Sequence, residues 1–152
     1  MKKQWIIVAV SSILLAAIDQ ISKTIAIKSF GARSVEFFNG IFHFEISTNT
    51  GIAFGLPIPF SVILILNIAL LIAIVYFFHT EIKISSKISI VSLSLILGGA
   101  FGNIIDRLKL GGVTDFIGIS IWPLFNLADS FICTGILLLI CFYAKINRVK
   151  PH

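Results

Sequence analysis

Charge is scarce in this 152-residue chain: Asp, Glu, Lys and Arg make up 12% of it against 57% hydrophobic residues, with a mean hydropathy of +1.04. That balance excludes an ordinary water-soluble domain. Cysteine is almost absent. Cys133 and Cys141 fall inside one apolar run with no histidine or second thiol at ligand spacing, so they are expected to be packing residues. His43, His79 and His152 are scattered, which argues against a metal site. The chain has no Gly-x-Ser-x-Gly elbow, no His-Glu-x-x-His helix and no phosphate-binding loop. Repeats, low-complexity tracts and a second domain are missing as well. A net charge of +5 does not point to nucleic acid, because the cations sit at the ends of apolar runs rather than in one stripe.

Four apolar runs are present, at about 5–25, 60–78, 88–105 and 122–144. Each has the ~20 residues that a helix needs to cross a bilayer. The expected fold is therefore one integral membrane domain over 1–152, all-α, with four transmembrane helices. The first run, opened by Lys2 and Lys3, could also serve as a cleaved signal peptide. Asp19, Gln20 and Lys23 make a poor small-residue cleavage site, however, so the run is kept as a span. Four spans put both termini on one side. That side holds Lys2, Lys3, Lys83, Lys87, Lys145, Arg148 and Lys150 against one acid, Glu81, and the positive-inside tendency makes it the cytoplasm.

Alternation of the spans brings three helix ends to the opposite rim. Asp19 and Lys23 close the first helix, Asn103, Asp106 and Arg107 close the third, and Asn126 and Asp129 open the fourth, with Pro123 as its expected first residue. Ionisable groups inside spans cost ~2.5–3.5 kcal/mol each on insertion, so a cluster of them marks a protein interior or a wet cavity. The connection after the first helix carries an Asn39-Gly40 hairpin signal between 34–38 and 41–47. There Phe42, Phe44 and Ile46 alternate with His43, Glu45 and Ser47. A small β-sheet over about 33–56 is expected to rest on the extracytoplasmic membrane surface, apolar face down. In the last connection Gly111-Gly112 is a turn that delivers Asp115 on an extended piece at 113–117.

The polar residues divide by their neighbours. Gly98 and Gly102 form a small-xxx-small pair beside a stripe of Gly99, Asn103 and Asp106, and close helix packing explains the glycines. Asn103 and Asp106 need polar partners, and at this depth the other helix ends supply them. Lys23 follows Asp19 by four residues and Arg107 follows Asp106 directly, so these two acids are expected to be scaffold, with direct chemistry as the alternative. Asp115 and Asp129 have no Lys or Arg within four residues. Brought together at a low-dielectric rim they would share a proton, as in an aspartic protease. The alternative is two unrelated acids at a solvated edge. Two rival classes stay open on this reasoning: a proton-coupled transporter, for which the other half of the spans offers only Ser11, Ser12, Asn67, Ser92 and Ser94, and a purely structural assembly subunit.

The order of short blocks resembles the lipoprotein signal peptidase (signal peptidase II) family along almost the whole chain. The blocks are Asp19-Gln20-Ile21-Ser22-Lys23, Asn49-Thr50-Gly51-Ile52-Ala53-Phe54, the run from Gly98 through Asn103 to Asp106-Arg107, Val113-Thr114-Asp115-Phe116 and Phe125-Asn126-Leu127-Ala128-Asp129. Thr114 and Gly55 depart mildly from the family pattern and touch no expected catalytic position. The resemblance implies that Asp115 and Asp129 are the catalytic pair, and that Asp19, Lys23, Asn49, Asn103, Arg107 and Asn126 line or brace the pocket, with Asp106 among its supports. Gly51 and Phe54 are expected in a cradle over the peptide. The implied substrate is a bacterial prolipoprotein cut just before a diacylglyceryl-bearing cysteine. No cofactor or metal is expected, since water is the nucleophile. The implied setting is the bacterial cytoplasmic membrane, with membrane lipid around a monomer and globomycin-type cyclic peptides as inhibitors.

Overall fold

A computed structural model of the chain describes residues 2–51, 59–82, 84, 86–120 and 122–147. In chain order the elements are α1 (Lys2–Phe30), β1 (Val35–Phe37), β2 (Phe42–Asn49), α2 (Phe60–Thr80), α3 (Lys87–Leu110), β3 (Val113–Ile119), β4 (Trp122–Phe125) and α4 (Leu127–Asn147). Helices α1, α2 and α3 are long and apolar enough to cross a membrane, and α4 carries a shorter apolar stretch, Leu127–Tyr143. Helices suit apolar surroundings because each satisfies its own backbone. Many of their large side chains face outward, including Ile6, Ile13, Leu66, Ile72 and Ile140. The protein is thus a membrane protein, mostly helical, with a small antiparallel sheet.

Helix α3 is the central element, packed along α1 and α4. Its glycines allow this. A Cβ on Gly98 would stand 2.6 Å from the Leu15 Cβ of α1, and one on Gly99 would run into the Ala128 carbonyl of α4. Gly135 of α4 returns the contact, since its Cβ would lie 2.8 Å from the Ser92 carbonyl. Close backbone approach of this kind drives helix association where lipid removes the hydrophobic drive. At one end of the bundle Val8, Phe78, Leu93, Ile96, Leu97 and Ile146 form an apolar core. The opposite end is polar.

Two helix boundaries differ from expectation. Helix α1 runs on to Phe30, so Asp19 lies 11 residues, about three turns, before its end rather than in the last turn. Helix α4 starts at Leu127 and not near Pro123, because 122–125 pair with β3 as strand β4. Asn126 is the cap: its Oδ1 accepts from the Asp129 N–H at 2.9 Å, and Asp129 Oδ2 accepts from the Asn126 N–H at 3.2 Å. This reciprocal capping box places Asp129 in the first turn of α4. Helix α3 ends on Gly111, whose φ of 73° is the left-handed conformation that closes a helix.

The sheet has order β1-β2-β3-β4, all neighbours antiparallel. Asn39 and Gly40 both have positive φ in the turn after β1, as a type I′ turn requires. Phe44 pairs with Ile117, but Ser47 pairs with Asp115, so β2 carries one extra residue between them. That bulge reverses the alternation of β2. It turns Ser47 and Asn49 onto the face of Asp115, where unbroken alternation would have aimed them away. The Phe44 ring stacks on Phe30 with centroids 4.9 Å apart, fastening the sheet to the end of α1.

Candidate active site

The polar end of the bundle has two layers, and the deeper one is organised by Lys23. Its Nζ lies 2.8 Å from Asp19 Oδ2 and 3.0 Å from Asp106 Oδ2, and it donates to Asn103 Oδ1 at 3.2 Å. Three acceptors use all three protons of the ammonium group. Asp106, expected to pair with its neighbour Arg107, pairs instead with Lys23, because consecutive helix residues diverge while α1 and α3 face each other. The two carboxylates also accept from other donors. Asp19 Oδ1 accepts from the Ala128 N–H at 2.9 Å, Asp106 Oδ2 from the Thr114 N–H at 2.9 Å, and Asp106 Oδ1 from Gln20 Nε2 at 2.6 Å. Gly102 leaves the room that Asp19 occupies, since a Cβ there would be 2.5 Å from Asp19 Oδ2. Asp19 and Asp106 thus tie α1, α3, β3 and α4 together around one buried cation.

Asp115 and Asp129 form the upper layer. Asp115 is buried on β3, and its oxygens accept from Asn126 Nδ2 at 2.7 Å and Asn49 Nδ2 at 3.1 Å. The Asn49 amide is oriented by Gly51, whose N–H donates to Asn49 Oδ1 at 2.9 Å. Gly51 has a φ of 83° and packs so closely on Ile63 of α2 that a Cβ would collide with it. Asp129, besides its bond to the Asn126 backbone, accepts from Asn103 Nδ2 at 2.8 Å. Asn126 Nδ2 also reaches Asn103 Oδ1 at 3.2 Å. Asn126, fully buried, therefore touches both carboxylates. Among the described residues neither acid has a salt bridge.

Burial pushes the Asp115 carboxyl up to about 6, and the nearby Asp129 charge adds to this, while the bonds from Asn49 and Asn126 hold it back. Arg107 is half-buried at the end of α3, where the charges of Asp129 and Asp115 both act on it. Each acid also opens onto its own cleft. Asp115 meets a polar one of about 340 Å³ beside Ser47, Thr48 and Asn49 of β2. Asp129 meets an apolar one of about 370 Å³ beside Ile119, Trp122 and Phe125.

Asp19, Lys23, Asn49, Gly51, Asn103, Asp106, Asp115, Asn126 and Asp129 are thus joined in one contact network, with Arg107 in electrostatic reach. Phe54 lies outside the described residues. Gln20 belongs to the network and was not singled out from the sequence by its chemistry. Its signal is a carboxamide inside an apolar span, which needs a polar partner as much as an acid does. The backbone donors at Thr114 and Ala128 carry no sequence signal. The cysteines, expected in packing positions, are exposed on α4.

A profile described as Signal peptidase (SPase) II matches residues 11–145. The chain belongs to the signal peptidase II family. The chain is 40% identical over 132 residues to the lipoprotein signal peptidase of Syntrophomonas wolfei, covering 86% of this chain and 88% of that protein. To that of Moorella thermoacetica it is 36% identical over 129 residues, covering 84% and 86%. A bacterial membrane enzyme solved by the in meso method at 1.9 Å resolution superposes with a TM-score of 0.79 at 31% identity, covering 91% of this chain and 92% of that one. As a signal peptidase II the protein is a membrane hydrolase that removes signal peptides from lipoproteins. Membership excludes the transporter and the purely structural subunit.

Proposed function

We propose that this signal peptidase II works as an aspartic endopeptidase with Asp115 and Asp129 as its catalytic pair, cutting a prolipoprotein before a diacylglyceryl-bearing cysteine. The observation that carries this is Asn126, which binds one carboxylate through its side chain and the other through its backbone N–H. The four acids then divide by role. Asp19 and Asp106 are both ion-paired to Lys23, which leaves Asp115 and Asp129, without a salt bridge among the described residues, for proton transfer.

In the proposed cycle Asp129 takes a proton from water, and the water oxygen attacks the scissile carbonyl carbon. Asp115, which burial keeps protonated to higher pH than an ordinary carboxyl, donates to the carbonyl oxygen. As the tetrahedral intermediate collapses the C–N bond breaks. The leaving amine takes the proton held by Asp129, and Asp115 recovers its own from the oxygen. No metal or cofactor enters the cycle.

The finer topology belongs to this proposal. Helices α1, α2, α3 and α4 are four spans, both termini are cytoplasmic, and the polar end of the bundle lies at the extracytoplasmic rim of the bacterial inner membrane. The sheet rests on the bilayer surface there. Support comes from its exposed apolar tip, where Phe38 is 81% and Trp122 is 67% exposed, and from the preference of Trp for membrane interfaces. The working form is a monomer surrounded by lipid. The test is cleavage of a synthetic lipobox peptide in detergent. The diacylated peptide is cut before cysteine and a globomycin-type cyclic peptide blocks the reaction, whereas equal turnover of the unlipidated peptide would contradict the reading.

A further inference from the structure

The apolar cleft on Asp129 has a direction as well as a composition. Asp129, Ser130, Cys133 and Thr134 follow one another along one face of α4 and form its floor. They descend about 7 Å along the helix, away from the polar layer and into the apolar stretch. Ile119 and Trp122, at the β3–β4 turn, and Phe125 form its wall. At about 370 Å³ it falls within the range of small-molecule sites, which begins at roughly 300 Å³. The cleft on the other acid is polar and runs along residues 47–50, at the end of β2 and just beyond it. The two acids therefore line clefts of opposite character, Asp115 a polar one and Asp129 an apolar one.

We propose that the groove between β4 and α4, which begins at Asp129, holds the acyl-glyceryl substituent of the substrate cysteine. The polar cleft beside β2 holds the peptide. This rests on the proposed cleavage before a lipidated cysteine, and bond geometry follows from it. The scissile nitrogen belongs to that cysteine, and its thioether sulfur is only three bonds away. A carbonyl held between Asp115 and Asp129 therefore releases the lipid within a few ångströms of the groove mouth. An acyl chain laid along the groove points down α4, the direction in which it would lie in a bilayer leaflet. Cys133 and Thr134 then meet the chain beyond the glyceryl unit.

The test is a chain-length comparison. kcat/KM is measured for lipobox peptides whose cysteine carries either a dipalmitoyl-glyceryl or a dihexanoyl-glyceryl group, in detergent, with wild type, Thr134→Trp and Cys141→Trp. Cys141 is also exposed on α4 but lies outside the groove. The expectation is that Thr134→Trp lowers the palmitoyl-to-hexanoyl ratio by about tenfold, the effect of displacing two or so methylenes from apolar contact, and that Cys141→Trp leaves it unchanged. An unchanged ratio in Thr134→Trp would overturn the groove assignment, and the bilayer or a free lipid would then be the surroundings of the chain. Should Thr134→Trp fail to fold, alkylation of Cys133 in a Cys141→Ser background decides the matter. The dipalmitoyl peptide should protect the thiol, and an S-methyl peptide should not. Equal protection, or none, overturns the assignment. If wild type cleaves neither peptide, the cleavage reading itself falls and the groove assignment falls with it. Cleavage with an unchanged ratio sinks the groove alone.

Discussion

Asn126 and Asp115 are linked by a 2.7 Å hydrogen bond from Nδ2 to Oδ1, and the same asparagine caps α4 through the N–H of Asp129. A helix cap and the geometry of two acids thus depend on one buried side chain. Asn126→Asp keeps a capping oxygen but loses the amide donor to Asp115 and adds a third acid to the pair. The variant is expected to fold, with circular dichroism close to wild type. Its kcat should fall by about 10²-fold, the scale of an ångström-sized misplacement of reacting groups.

The pH profile follows from Asp115. With its carboxyl raised to about 6, it is protonated below that pH and loses its proton above it. If it is the acid of the pair, kcat/KM falls on the alkaline side with an apparent pKa near 6, by about tenfold per pH unit. The value read from the profile belongs to the coupled pair rather than to one residue. Initial rates on the diacylated peptide at constant ionic strength give the profile. A rate that rises steadily through this range would reverse the assignment of acid and base.

Lys23 supplies a stability prediction. Removing the cation leaves Asp19 and Asp106 buried and uncompensated, and breaking a buried pair in this way costs about 3–5 kcal/mol. Lys23→Met is expected to melt well below wild type in detergent. Asp19→Asn should be milder, because Asp106 still neutralises the lysine. Thermal unfolding of the two purified variants, side by side, checks the order.

Much of this site was legible in the sequence because a membrane makes polar residues expensive. Asp19, Lys23, Asn103, Asp106, Asn126 and Asp129 stood out against apolar runs, and alternation of the runs alone carried them to one end. What stayed hidden depends on contacts between chain segments. The Asp106–Lys23 pair follows from which faces of α1 and α3 meet, whereas adjacency suggested Arg107. Strand β4 took 122–125 from the expected fourth helix because those residues pair with β3, a long-range preference that overrode the local signal of Pro123. The bulge that aims Asn49 at Asp115 leaves no mark in the alternation of β2, since only the partner strand shows which residue is extra.

The most direct test of the central claim is cleavage of a diacylated lipobox precursor by Asp115→Asn and Asp129→Asn, each first shown by thermal melting to be folded. Positioned acid–base groups contribute about 10²–10⁴-fold, so each variant should lose at least ~10²-fold in rate while retaining binding of the precursor. A folded variant of either position that cleaves at close to the wild-type rate would contradict the account.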